Sequence, residues 1–355
     1  MVTHYIITNR QLEEGRPARG FVKVNETESI RIDGNEEAMD NLRFGRVRFD
    51  PLKARKLKDF DIQIDRDLTE TQMRDIGLLG EAVDRRKPPS RSMFEQLHAA
   101  GCKNDKPAHI LVFVHGYNNS LECALATLAD LHRLYVEPKE SPIDRIVMFT
   151  WPSRKDLLKY RDDARDAVKS GYAMARAFQS MTTFFHDLIM AAYKNRTDPH
   201  AALCDQKIHL MCHSMGNRVF ESMLHELRRQ NVKPNTVFGE ILLMAADADD
   251  DCMEPGKPMS EAIGLGERIH IYYHNQDQAL GISEKTKNAF NRLGRWGARR
   301  TIPLADDVYQ ADVTYVDDLK SMLDRVGNHW YYVNSPSVVR DVIEVLNGKV
   351  TVFNY

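Results

Sequence analysis

The chain has 355 residues, of which 43% are hydrophobic and 28% charged, enough apolar material for one large core and too balanced a composition for a disordered chain. Its 49 Lys and Arg stand against 51 Asp and Glu, so a net charge of -2 gives no electrostatic reason to expect nucleic acid as a partner. Met1–Arg10 lacks the cationic start, apolar centre and small-residue cleavage site of an export signal, and Cys102, Cys123, Cys204, Cys212 and Cys252 are scattered without disulfide or zinc spacing; we therefore expect reduced thiols in a cytoplasmic protein.

In chain order, Tyr5–Thr8 and Gly45–Phe49 are β-rich runs that predict an antiparallel edge. Between Asp50 and Lys106 the sequence turns polar, with Arg85-Arg-Lys-Pro-Pro-Ser90 as its strongest breaker, and predicts helices and loops on the sheet edge. Continuous apolar runs follow at Ile110–Val114, Arg145–Thr150, Ile208–Met211, Glu240–Met244, Ile269–Tyr273 and Val313–Val316, as expected of strands buried on both faces. From Leu157 to Lys194 apolar residues recur at helical spacing, including Tyr172, Phe178, Met181, Phe185, Leu188 and Ile189, which predicts a core-facing helix. Arg176, Gln179, His186 and Asp187 interrupt it too often for a membrane span. Strands alternating with helical segments predict an α/β fold with a mostly parallel central sheet flanked by helices. We expect one domain over 1–355, with edge strands and helices in 1–106 and the core in 107–355, carrying insertions at about 152–200 and 281–311.

The chemistry is concentrated at the ends of these strands. Lys207-Ile-His-Leu-Met-Cys-His-Ser-Met-Gly-Asn217 runs from a strand through small residues into a helix, the setting of a nucleophile elbow centred on Ser214. Gly216 meets the demand for a small residue two positions on; Cys212 stands where glycine is usual, two positions before. His115-Gly-Tyr-Asn-Asn119 follows the first long strand, where the backbone N–H of Tyr117, paired with that of Met215, would form an oxyanion hole. A serine needs a base, and the base needs an orienting acid. Asp277 ends the strand that starts at Ile269, whereas Asp247, after the Glu240–Met244 strand, is the alternative acid. His329 lies between the last predicted strand and the helical run Ser337–Leu346. The chain order Ser214, Asp277, His329 makes these three the expected catalytic set. His115, Asn118, Trp151 and His213 are candidate pocket lining, although Trp151 is equally placed to pack its indole in a turn.

Together with Tyr5-Ile-Ile-Thr-Asn-Arg10, Val114-His-Gly-Tyr-Asn118, Phe149-Thr-Trp-Pro-Ser153, His213-Ser-Met-Gly-Asn217, Asn275-Gln-Asp-Gln-Ala-Leu280 and Arg292-Leu-Gly294, these pieces resemble a bacterial family of α/β-hydrolase proteins of unknown function, loosely esterase- or lipase-like. The resemblance implies the α/β-hydrolase fold, the Ser214, Asp277 and His329 triad, and Tyr117 with Met215 as oxyanion donors; it implies no substrate. The expected partner is a small acyl ester or a lipid, with no cofactor and no metal. A lipase working at a membrane surface is the alternative if Leu157–Lys194 forms an exposed apolar lid, and a non-catalytic binding protein is the other. The run Asp247–Asp251 fails as a calcium loop, because Cys252 and Pro258 occupy the glycine and glutamate positions. Gly264-Leu-Gly266 precedes its strand and lacks a third glycine, so it is no dinucleotide fingerprint. Arg292, Arg295, Arg299 and Arg300 around Trp296 read as a solvated basic loop.

Overall fold

Side chains alternate across a strand, so a strand apolar at every position must feed two apolar layers. Strand β4 (His109–Val114) does this: Ile110 and Val114 face one layer, Leu111 and Phe113 the other. The computed structural model describes residues 1–10, 42–66, 88–102, 108–154, 159–198, 204–233, 235–286, 290–300, 304–319 and 328–353. Arg85–Lys87 of the expected breaker lie outside them. Its strands are β1 (Val2–Thr8), β2 (Arg43–Phe49), β3 (Phe60–Arg66), β4, β5 (Ile143–Thr150), β6 (Ile208–His213), β7 (Phe238–Met244), β8 (Gly266–Tyr273) and β9 (Val308–Asp312), joined in one sheet of order β3-β2-β1-β5-β4-β6-β7-β8-β9. β3, β2 and β1 pair antiparallel, and every pair from β1·β5 to β8·β9 is parallel.

Two strands depart from the expectation. β3 lies in the segment read as helices and loops; Phe60-Asp-Ile-Gln-Ile-Asp-Arg66 alternates as an edge strand with one solvated face should, and its shortness between polar neighbours hid the period. The last strand is Val308–Asp312, not Val313–Val316: Gln310 and Asp312 make it look polar, but as the outermost strand it needs only partial burial. Val313 instead ends the pairing, its amide donating to Tyr273 O at 3.0 Å.

One face is covered by α1 (Pro89–Gly101), α3 (Tyr160–Asn195) and α4 (Gly216–Arg229), the other by α2 (Leu121–Tyr135), α7 (Tyr331–Asn334) and α8 (Pro336–Leu346). α1 starts where the breaker was expected because proline at the first helical position needs no N–H donor there. α3 buries Ala167, Met174, Phe178, Met181 and Phe184 along one stripe and ends at Arg196, φ 56°, with Thr197 N–H donating to Ala192 O at 2.9 Å. Its apolar stripe therefore faces the core rather than forming a lid. No helix among the described residues is long and apolar enough to cross a membrane.

The reading of five reduced thiols is corrected. Cys102, at the end of α1, and Cys204, before β6, form a disulfide with Cα atoms 5.2 Å apart, while Cys123, Cys212 and Cys252 are free. Spacing along the chain gave no hint of this, because 102 residues separate the partners. A closed loop of that length constrains the unfolded chain by up to about 4–5 kcal/mol in the chain-entropy account. The cysteines thus lend no support to a cytoplasmic location.

Candidate active site

In this sheet the strand order reverses between β4 and β6: β5 follows β4 on one side and β6 lies on the other. Such a switch point opens a crevice at the carboxyl ends of the strands. Ser214 stands there, immediately after β6, with φ 52°. Left-handed geometry costs a non-glycine residue about 1–2 kcal/mol, so the surroundings must hold it. Ser214 N–H donates to Met244 O at 2.9 Å, and Ser214 O accepts from the amides of Asn217 and Asp247, both at 3.1 Å, and from Asn217 Nδ2 at 3.0 Å.

Crowding explains the small neighbours. A Cβ on Gly216 would lie 2.5 Å from Val114 O, and one on Gly116 would lie 2.7 Å from Ser214 Cβ. Cys212 is fully buried, and burial pushes its thiol well above the ordinary value, leaving it a small apolar side chain.

Gly116 thus brings the loop after β4 directly against Ser214. Tyr117 in that loop is half-buried, with its ring edge-on to Tyr160 at 5.5 Å. Met215 opens α4, whose first amides have no acceptor inside the helix and lie at the positive end of its dipole. The loop is braced from beneath. His115 Nδ1 donates to Gly116 O at 2.8 Å, and its Nε2 accepts from Thr150 Oγ1 at 2.9 Å and Trp151 N at 3.2 Å. Burial, and then the charge of Arg10, push His115 down to about 3, so the ring is neutral. It stacks on Trp151, centroids 5.4 Å apart, and both are buried. His115, expected as pocket lining, instead forms the floor under the loop with Trp151, whose indole packs there as the second of its two expected readings had it. Arg10 donates to Asn119 O at 2.8 Å, Thr150 Oγ1 at 2.9 Å and Ser153 O at 3.3 Å, tying the end of β1 to the same loop. Asn118 turns the chain at φ 61° and remains half-exposed.

His329 follows a left-handed turn at Asn328, φ 64°. Its Nδ1 lies 2.6 Å from Asp277 Oδ2. Asp277 is fully buried, and its Oδ1 accepts from Leu280 N at 2.9 Å, capping α5 (Gln278–Thr286). His213, the residue before Ser214, donates from Nε2 to His329 O at 3.1 Å, and the two imidazoles stand 4.7 Å apart. Tyr331 fixes the segment from the other side: its hydroxyl accepts from Ala245 N at 2.6 Å and donates to Tyr272 O at 2.7 Å. His329 is thus paired with Asp277, and its backbone is tied to His213, the neighbour of Ser214, at the strand ends.

Asp247 is engaged differently. Tyr160 OH donates to its Oδ2 at 2.5 Å, Ser283 Oγ to its Oδ1 at 3.2 Å, and Arg292 Nη1 lies 3.6 Å away. Burial, and then the Asp247 charge, push Tyr160 up to about 12, which keeps it a donor. The arginines also depart from expectation. Arg292 is buried between Asp247 and Asp249, Arg295 pairs with Glu284, Arg299 with Asp250 and Asp251, and Arg300 with Glu254. A solvated loop describes Arg299 and Arg300, which are exposed, but not buried Arg292 or half-buried Arg295; Arg292 and Arg299, on either side of α6 (Leu293–Trp296), pair with the Asp-rich turn. Arg10, Tyr160 and Tyr331 had no assigned part in the sequence reading. Only their hydrogen-bond partners, distant in sequence, single them out.

A cavity of about 40 Å³ lies elsewhere, between β4, β5, β6 and the helices α1 and α3, lined by residues such as Phe94, Ile110, Met174, Phe178 and Phe238. Its lining is wholly apolar and includes no titratable group, so chemistry is not to be sought there.

The family described as "Alpha/beta hydrolase of unknown function (DUF900)" matches residues 91–192 and 197–346. An uncharacterized protein, alr1448, of Nostoc sp. (strain PCC 7120) is 28% identical over 159 residues, a match covering 39% of this chain and 37% of that relative. The chain thus spans little more than a third of that relative's length. No solved structure matches.

Proposed function

The chain belongs to this family of α/β hydrolases of unknown function, and from that premise we propose that it is a serine hydrolase of carboxylic esters, acting through an acyl-serine intermediate. Ser214 is the nucleophile, His329 the general base and Asp277 the acid that orients it. The reading is carried by one observation: the His329 Nδ1 to Asp277 Oδ2 contact of 2.6 Å, on a segment bonded to His213, the residue preceding Ser214. With Nδ1 engaged by the carboxylate, Nε2 is the nitrogen left to take the serine proton and later return it to the leaving group. The buried carboxylate fixes that tautomer and stabilises the imidazolium. Negative charge on the substrate carbonyl oxygen is received by the amides of Tyr117 and Met215, the second at a helix N-terminus. Because the apolar stripe of α3 is buried in the core, a water-soluble acyl ester is favoured over a lipid taken from a surface.

Ser214→Ala tests this. The variant is expected to retain its fold by circular dichroism, and to lose both labelling by a fluorophosphonate and hydrolysis of a short activated ester. Undiminished labelling of the folded variant would place the nucleophile elsewhere.

A further inference from the structure

At the opposite end of the strands, a turn left-handed at both Cys204 and Asp205, φ 57° and 50°, carries Cys204 against the end of α1. On α1, His98 and Cys102 are four residues apart and so share one face of its last turn. His98 Nε2 stands 3.4 Å from Cys102 Sγ and 3.7 Å from Cys204 Sγ. A tetrahedral zinc ion, with bonds of about 2.0 Å to nitrogen and 2.3 Å to sulfur, holds the two ligand atoms about 3.6 Å apart, between those separations. We propose that His98, Cys102 and Cys204 bind zinc when the Cys102–Cys204 disulfide is reduced, with water in the fourth position, and that oxidation of the pair expels the ion.

Three features favour it. The imidazole nitrogen already faces both sulfurs, so the ligand set forms once the sulfurs part, within a Cα separation of 5.2 Å. The site lies at the C-terminal end of α1, where the dipole disfavours two bare thiolates and favours a cation between them. Cys102 is exposed and His98 and Cys204 half-buried, within reach of a reductant and of the ion, whereas Cys212 and Cys252 are buried. Either tie closes the same loop, so α1 stays fastened to the segment entering β6 in both redox states.

The exchange balances. A small dithiol gives two electrons to the protein disulfide and becomes a disulfide itself; the two protein thiols lose their protons as zinc binds. In reverse, a small disulfide such as oxidised glutathione takes two electrons from the zinc-bound thiolates and two protons from solvent. It leaves as two thiols, while the protein S–S bond forms and Zn²⁺ departs.

The test uses the full chain, reduced with a phosphine, stripped of metal and titrated with Co²⁺ without oxygen. One Co²⁺ per chain is expected, with a thiolate-to-cobalt charge-transfer band that Zn²⁺ displaces. Cys204→Ser should abolish the band, and His98→Asn should weaken binding by about tenfold or more. Oxidised glutathione should then release bound Zn²⁺ with the loss of two thiols. The proposal is overturned if the reduced wild-type chain gives no such band, a result that needs no variant to fold, or if His98→Asn binds Co²⁺ as tightly as wild type.

Discussion

Asp277 divides its carboxylate between two tasks, Oδ2 toward His329 and Oδ1 toward the amide of Leu280 at the start of α5. This makes Asp277→Asn a clean change, since an asparagine carbonyl still caps the helix while the charge and its hold on the imidazole tautomer are lost. Turnover of a short ester is expected to fall by roughly a thousandfold or more, with little change in stability. Asp247→Asn acts on a different network. It weakens the contacts with Tyr160, Ser283 and Arg292, so a stability loss of about 1–3 kcal/mol is expected, with turnover staying within roughly tenfold of wild type. An inactive Asp247→Asn beside a near-normal Asp277→Asn would move the acid to the turn after β7. Strand order alone pointed to Asp277 while leaving Asp247 open, because both end a buried strand. What separates them is which carboxylate the His329 segment reaches.

Elements hold that segment as much as side chains do. α7 is only four residues long and has no helical stability of its own, so its position depends on anchors. Tyr331 OH bridges the amide of Ala245 and the carbonyl of Tyr272, at the ends of β7 and β8, and Tyr135 OH donates from α2 to Tyr332 O at 2.5 Å. Tyr331→Phe removes both short bonds and leaves the Ala245 amide and the Tyr272 carbonyl only their longer mutual bond of 3.3 Å, an expected loss of about 1–3 kcal/mol in urea unfolding. Because His329 is two residues away, kcat should drop as well, with KM less affected. Unchanged kcat in a destabilised variant would separate the anchor from the chemistry. At this scale the long buried strands were plain from their apolar runs. β3 and β9 were not, since an edge strand buries one side and its polar positions imitate a loop.

Across the described residues, burial is the first cause holding six imidazoles below their ordinary value: His4 and His209 far below, His115 at about 3, and His109, His132 and His274 to a lesser degree. An unfolded chain takes up these protons near pH 6.5, but the folded one does so only at lower pH. Stability is therefore present above that value and is lost as pH falls through the interval, by up to about 1.4 kcal/mol per unit for each group. Asp163, Asp166 and Glu221 oppose them: burial raises all three, Asp163 to about 6, so through these groups the folded state gains stability as pH falls toward the ordinary carboxylate value. With six groups against three, and the imidazoles exchanging protons from pH 6.5 downward, the urea midpoint is expected to be lower near pH 5 than near pH 7.5. A midpoint that holds or rises on acidification would contradict this.

The sequence by itself determined what local patterning encodes. Apolar runs at a strand's period made the parallel sheet, and the strand–turn–helix passage with Gly216 beyond Ser214 made the strained turn, since both depend on residues within a few positions of one another. Tertiary structure decided the partnerships. It set Asp277 rather than Asp247 beside His329, Arg292 in a buried pair rather than in solvent, His115 and Trp151 beneath the site loop, and Cys204 against Cys102 and His98. Each joins residues tens to hundreds of positions apart. Their meeting is fixed by strand order and by the packing of helices on the two faces, which no window along the chain contains.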